Sequence, residues 1–204
     1  MHLFMPQPSF KIGGTQLGGA SKTPLLLFMQ NYIKKEKIIL KGSVIYRLKI
    51  LEIQDRLKID NPIYFISKFC NLRGPQKIFI IHKPLKFAAN FEPPPFNKIL
   101  LDFRNSINYI FLCIAHEYTH ILLRYNKQIP YPFEQSLAIL LQLTYEDSVN
   151  IRKFKKNTIK ELMEYMNVWQ EGKILFEKWP LYINSLKRRK NKYRNILDWL
   201  SSVL

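Results

Sequence analysis

The sequence predicts an α+β protein in which a small sheet precedes a central helix and the rest of the chain is helical. Three observations support this fold class. Residues 60–105 contain short segments rich in β-branched and aromatic residues, separated by Gly, Pro and Asn. Residues 106–125 then lack proline and glycine, and they begin with a serine that is suited to cap a helix. After residue 132, long segments carry apolar residues near helical spacing.

Length and composition indicate one folded domain behind a flexible arm. The chain has 204 residues, of which 47% are hydrophobic, and this is enough for a substantial core. Residues 1–23 hold four of the seven glycines and are predicted to be a flexible N-terminal arm. We expect residues 24–204 to form a single domain, with an α/β lobe over 24–125 and a helical lobe over 126–204.

Each element of the α/β lobe is predicted from its local pattern. A short helix is expected from Thr23 to about Lys35, and Ser43 is a good N-cap for a second helix beginning at Val44. The alternation of Tyr46, Leu48 and Ile50 would also fit a strand. Short apolar runs are expected to pair in a mostly antiparallel sheet, in which Ile99–Phe103 is a candidate edge strand for an extended peptide. The predicted strands are Ile63–Ile66, Lys77–Ile81 and Lys98–Phe103, with Phe87–Phe91 as an additional edge segment.

The helical lobe is divided by its prolines. Pro130, Pro132 and Pro180 are expected to mark breaks, because proline lacks the N–H group that continues a helix. The predicted helices are Phe133 to about Val149, Thr158 to about Trp179, and Pro180 to Leu204.

Cysteine usage and the chain's start favour a cytoplasmic protein. Cys70 and Cys113 cannot build a disulfide framework, and the first ten residues contain no basic residue of the kind that begins a secretory signal. The apolar stretch at residues 107–123 includes two imidazoles and a carboxylate, which would be costly in lipid. We therefore predict no membrane span. Cys113 is expected to be a small buried hydrophobe.

An HExxH motif lies in the predicted central helix. Its residues are His116, Glu117 and His120, with Tyr118 and Thr119 between them. Four residues of helix advance about 6 Å and turn about 400°, so both imidazoles lie on one face, one turn apart. This spacing lets both rings reach one zinc ion, while Glu117 lies where it can accept a proton from a metal-bound water. The pattern predicts a zinc site with His116 and His120 as ligands and Glu117 as general base.

The segment Ile114–Ile121 resembles the active-site helix of the zincin metallopeptidases. A sheet before that helix and helices after it are similar to the zincin architecture, and the resemblance covers mainly residues 60–150. It implies a zincin-like fold and zinc-dependent hydrolysis of protein or peptide bonds. No HExxHxxGxxH pattern is present, so the metzincin arrangement is excluded. What remains is a carboxylate as third ligand, as in the gluzincin group.

The identity of the third ligand has several candidates. Glu134, fourteen residues after His120, is the expected one, because a helix–turn–helix could return it to the histidine pair. Glu146 and Asp147 are later alternatives. The residues Gln135-Ser136-Leu137-Ala138 resemble a Glu-Gly-x-Ala element found in many gluzincin-like proteins, with glutamine at the glutamate position. In that register Gln135 replaces the ligand and the site is altered.

The net charge of +17 supports an alternative interpretation. The densest basic cluster is Lys187–Lys190 with Lys192 and Arg194, which indicates either a nucleic-acid contact or a solvated helix face. The alternative is a basic nucleic-acid-associated or partner-binding protein with a zincin-like fold and no turnover. A fourth histidine, His82, is expected to be a structural residue at the end of a strand.

Overall fold

The computed structural model describes residues 2–3, 37–85, 89–151, 154–187 and 193–204. The predicted arm over 1–23, apart from His2–Leu3, and the helix predicted from Thr23 to Lys35 lie outside the described residues. So does most of the basic cluster after Lys187. Within the described ranges the protein is α+β, with a small sheet followed by helices, as the sequence predicts.

The sheet of the described residues is mixed, which corrects the prediction of a mostly antiparallel sheet. Its strands lie in the order β1-β2-β3-β5-β4. Strand β3 pairs in parallel with β2, because two helices connect these strands and return the chain in the same direction. It also pairs in parallel with β5, which the chain enters after turning back from the antiparallel strand β4. The edge strands β1 and β4 are antiparallel. The strands are β1 (His2–Leu3), β2 (Lys37–Lys41), β3 (Lys77–His82), β4 (Ala89–Glu92) and β5 (Lys98–Leu101).

The position of β5 overturns one expectation about peptide binding. Because β5 lies between β3 and β4, the predicted Ile99–Phe103 strand has no free edge along Lys98–Leu101. The edge on that side of the sheet is β4, which corresponds to the additional segment predicted at Phe87–Phe91.

Helices account for most of the described chain. A 3₁₀ turn, Val44–Tyr46, leads into the first of them, where the sequence predicts a helix after Ser43. The helices are α1 (Arg47–Ile59), α2 (Pro62–Cys70), α3 (Ile107–Asn126), α4 (Tyr131–Ser148), α5 (Lys155–Val168), α6 (Gln170–Lys187) and α7 (Ile196–Val203).

The predicted strand Ile63–Ile66 is wrong, since these residues form the first turns of α2. The Asn61 side chain accepts hydrogen bonds from the backbone N–H groups of Ile63 and Tyr64 at 3.0 and 3.2 Å. Pro62 occupies the first helical position, where its missing N–H costs nothing. Asparagine followed by proline is therefore a helix start here, although the run after it has strand-like composition.

The predicted break at Pro180 is also wrong, because Pro180 lies inside α6. The break falls at Trp169, whose extended backbone (φ −124°, ψ 97°) ends α5. An internal proline costs a helix roughly 3 kcal/mol. Burial of Trp179 and Tyr182, which pack on Phe69 at centroid distances of 5.9 and 6.0 Å, offsets that cost.

Helix α3 forms the centre of the molecule and positions the motif. Ser106 caps it by accepting a hydrogen bond from the N–H of Tyr109, as the sequence predicts. The helix is buried along most of its length, and it contacts α2, α4 and the β4–β5 edge of the sheet. No helix within the described ranges has the length and apolar character needed to cross a membrane.

Candidate metal centre

The two motif histidines point their Nε2 atoms at each other across one turn of α3. The Nε2 atoms of His116 and His120 are 3.4 Å apart, and the ring centroids are 5.1 Å apart. Two nitrogen ligands at about 2.0–2.1 Å from a tetrahedral zinc are separated by roughly 3.3–3.4 Å. The pair therefore has the spacing of two ligands that share one tetrahedral metal ion.

Each imidazole is held from behind by an acceptor at its Nδ1 atom. His116 Nδ1 lies 3.0 Å from Gln142 Oε1, and His120 Nδ1 lies 2.6 Å from Glu134 Oε1. Since the Gln142 amide nitrogen donates to Thr158 at 3.2 Å, its oxygen must face His116, and the His116 proton is on Nδ1. Acceptors at both Nδ1 atoms leave both Nε2 lone pairs free for a metal. Burial, together with the nearby His120, lowers the pKa of His116 to about 3, so His116 is neutral.

Glu134 reaches the histidine pair, but from the side away from the Nε2 atoms. It is 1% exposed in the first turn of α4, and the Arg124 guanidinium Nε donates to both carboxylate oxygens at 2.9 and 3.1 Å. Its contact with Nδ1 orients the His120 ring in the manner of a carboxylate–histidine pair. To become a ligand, Glu134 would have to leave both Arg124 and His120. This arrangement does not support the expected ligand role.

The neighbouring Gln135 faces the point where the Nε2 atoms converge. Its amide nitrogen lies 3.4 Å from His116 Nε2, and a half-turn of the amide would bring its oxygen there. Successive helical residues differ by about 100° in direction, so Glu134 and Gln135 cannot both face this point. Among the described residues, no group of three His, Cys, Asp or Glu side chains forms a metal site. Beside the histidine pair, the Gln135 amide lies next to His116 Nε2, whereas the Glu134 carboxylate lies at His120 Nδ1.

The two later candidates for the third ligand lie elsewhere. Glu146 is 1% exposed, and one carboxylate oxygen lies 3.3 Å from the Thr158 hydroxyl. Asp147 forms an exposed ion pair with Lys155 at 2.6 Å. Neither carboxylate contacts the histidine pair.

A stack of rings supports His120 from the sheet. Phe91 of β4 lies parallel to the His120 ring, with centroids 4.7 Å apart and an interplanar angle of 3°. The Arg124 guanidinium lies 4.8 Å from the Phe91 centroid. Sequence reasoning did not identify Phe91, Arg124 or Gln142 as parts of the site, because each is brought there by tertiary packing and none belongs to a motif.

Glu117 and His116 line a cavity of about 280 Å³ between α3, α4 and α5. Burial, together with the nearby Glu161, raises the pKa of Glu117 to about 7. A carboxylate with this pKa can accept and return a proton near neutral pH. Cys113 lines the same cavity, and burial raises the pKa of its thiol to about 12, so it stays protonated as expected for a small buried hydrophobe.

His82 is a structural residue, as the sequence predicts. It ends β3, its Nδ1 accepts a hydrogen bond from the Phe103 N–H at 3.1 Å, and its ring packs on Tyr46 with centroids 4.0 Å apart.

Comparison of the chain with protein-family models, with characterised proteins and with solved structures gave no match. Functional inference therefore depends on the geometry and chemistry of the site itself.

Proposed function

We propose that this protein is a zinc-dependent peptidase of the zincin type, in which His116 and His120 hold the metal and Glu117 is the general base. The observation that carries the proposal is the 3.4 Å separation of the two Nε2 atoms, together with an acceptor behind each ring. Bound zinc would supply a Lewis acid that polarises the substrate carbonyl and lowers the pKa of a bound water.

The chain's own residues supply the proton transfer. Glu117 lies on the cavity side of α3 with a pKa near 7, so it is partly ionised at neutral pH and can take up a proton. Once protonated, Glu117 can return the proton to the nitrogen of the leaving amine, because an acid with a pKa near the working pH can also donate a proton. His116 stays neutral through this cycle, because its buried ring disfavours a charge.

The third metal position is the feature that distinguishes this site from a complete carboxylate-ligated centre. We propose that the Gln135 amide oxygen is the third protein donor and that Glu134 orients His120 from behind. A neutral amide attracts a divalent cation less than a carboxylate does, so we expect weaker zinc binding than in a site with two histidines and a glutamate. If Glu134 were the ligand, Glu134→Gln would abolish zinc binding and Gln135→Ala would have no effect.

The test measures metal content and hydrolysis separately on the purified full chain. We expect one zinc per chain in the wild type, loss of zinc in His116→Gln, and retention in His82→Gln, which removes a histidine outside the pair. Glu117→Gln should keep the zinc and lose hydrolysis of a peptide library. Failure of the wild type to bind one zinc per chain at saturating zinc, or equal hydrolysis by wild type and Glu117→Gln, would refute the proposal.

A second candidate function is supported by the net charge of +17 and by the amide at the third position. In this alternative the chain binds nucleic acid or a protein partner and has no turnover. It predicts binding of DNA or RNA that weakens steeply with added salt and is the same in wild type and Glu117→Gln. Absence of such binding at low salt would remove this candidate.

A further inference from the structure

The cavity beside Glu117 is acidic although the protein is strongly basic. Glu117 of α3 and Glu161 of α5 both line it. In the part of the chain that the structure describes, most carboxylates pair with a lysine or arginine, whereas these two take part in no ion pair. The chain has 32 lysines and arginines but only 15 aspartates and glutamates. Basic partners are therefore abundant, and two carboxylates at one cavity without an ion pair are not expected from composition alone.

Two of the three lysines on α5 form ion pairs with other carboxylates. Lys155 pairs with Asp147 at 2.6 Å, and Lys160 pairs with Glu164 at 3.5 Å. Partial burial raises the pKa of Glu161, and the nearby Glu164 raises it further. Among the described residues, no lysine or arginine forms an ion pair that compensates its charge. A cation supplied from outside would provide that compensation.

Aromatic rings form another part of the same cavity. Tyr109 and Phe154 line it, and their ring centroids are 5.4 Å apart. The faces of aromatic rings attract ammonium and guanidinium groups, and carboxylates bind them by charge-assisted hydrogen bonds. The cavity therefore combines the two kinds of group that recognise an organic cation.

The size of the cavity limits what can enter it. Pockets for small-molecule ligands usually have volumes of about 300–1,000 Å³. The cavity here, at about 280 Å³, suits a single side chain or a chain terminus. Glu161 lines the cavity and is exposed to solvent, whereas Glu117 is less exposed and directly follows His116.

We propose that this cavity binds a cationic nitrogen group of the substrate beside the scissile bond, and that Glu161 determines this specificity. The group is either the side chain of a lysine or arginine or the free α-amine of a peptide. The inference rests on the proposed peptidase function for its meaning in catalysis, but the binding step can be tested without turnover.

The binding experiment titrates three probes separately into the full chain, and NMR measures how tightly each probe binds. N-acetyl-lysine methylamide carries only a side-chain cation, norleucine amide carries only an α-amine, and N-acetyl-norleucine methylamide carries neither. We expect one of the two cationic probes to bind at least about tenfold more tightly than the neutral probe, as charged hydrogen bonds allow. Whichever binds identifies the source of the cation.

The matched variants are Glu161→Gln and Glu164→Gln, which remove a carboxylate from the same helix. Only Glu161→Gln should abolish the preference for the cationic probe, and Glu161→Lys should reverse it toward an acidic analogue. Equal binding of all three probes to the wild type, or the same effect of both variants, would overturn the inference. Absence of zinc or of hydrolysis in the wild type would contradict the proposed peptidase function. It would not change the result of the probe titration, which requires no turnover.

Discussion

The buried carboxylate of Glu146 should make the stability of the fold depend on pH in a defined direction. Burial raises the pKa of Glu146 from 4.5 to about 7, and the Thr158 hydroxyl only partly opposes this. One of its oxygens has no hydrogen-bond partner. Between pH 4.5 and 7 the folded protein therefore keeps a proton on Glu146 that the unfolded chain has released.

The sign and size follow from proton linkage. Since the folded state binds more protons over this range, the free energy of unfolding falls as pH rises from 4.5 through 7. Below this range both states are protonated, and above it both are ionised, so the contribution of Glu146 is constant there. At about 1.4 kcal/mol per pKa unit, the loss amounts to at most about 3.5 kcal/mol.

The assay compares wild type with Glu146→Gln by denaturant unfolding at pH 5, 6, 7 and 8, followed by tryptophan fluorescence. The amide keeps an oxygen for Thr158 but buries an N–H group, which adds a pH-independent cost of about 1–3 kcal/mol. The informative quantity is therefore the difference between the two unfolding free energies as a function of pH. Asp147→Asn, which changes an exposed and paired neighbour, is the control. Parallel pH profiles for wild type and Glu146→Gln would refute the reasoning.

Three further predictions concern the site and its support. Gln135→Glu should tighten zinc binding at least about tenfold in a chelator competition assay, because a carboxylate then faces the histidine pair; unchanged affinity would mean that residue 135 does not face the metal. Phe91→Ala should weaken zinc binding and lower the unfolding free energy by about 2 kcal/mol, since it removes the ring stacked on His120. The matched variant Phe96→Ala, at a side chain that is 58% exposed, should change neither quantity. Gly172→Ala should destabilise the fold by about 1–3 kcal/mol in denaturant unfolding, because its new Cβ would overlap the Ser136 hydroxyl. Combining it with Ser136→Ala should recover part of that loss, and the absence of any recovery would contradict the packing argument.

The parts of the site that depend on one helix could be predicted from sequence. The i, i+4 spacing of His116 and His120 is a property of the helix itself, and the Ser106 cap fixes where that helix starts. The choice between Glu134 and Gln135 depends on the rotation of α4 about its axis relative to α3. Packing between the two helices sets that rotation, and the spacing along the chain does not contain it.

The fold likewise contains elements that the local sequence pattern predicts and elements that depend on tertiary packing. Strand β3 and the long helices α3 and α4 follow the predicted patterns closely. The run at Ile63–Ile66 is short and apolar, so its composition fits a strand or a buried helix equally, and only the Asn61 cap decides. The parallel direction of β2 could not be anticipated, because it depends on how two helices cross the sheet.

The Gln142 amide connects the proposed metal centre with the cavity that we propose binds substrate. It accepts from His116 on α3 and donates to Thr158 on α5, so it cannot rotate without breaking both bonds. The tautomer of His116 is thereby preorganised by a helix that also carries Glu161 of the cavity lining. If the proposed zinc binds, a cavity ligand that displaces α5 would lower zinc affinity, and a ligand that draws α5 inward would raise it. Zinc would change the affinity of that ligand by the same factor.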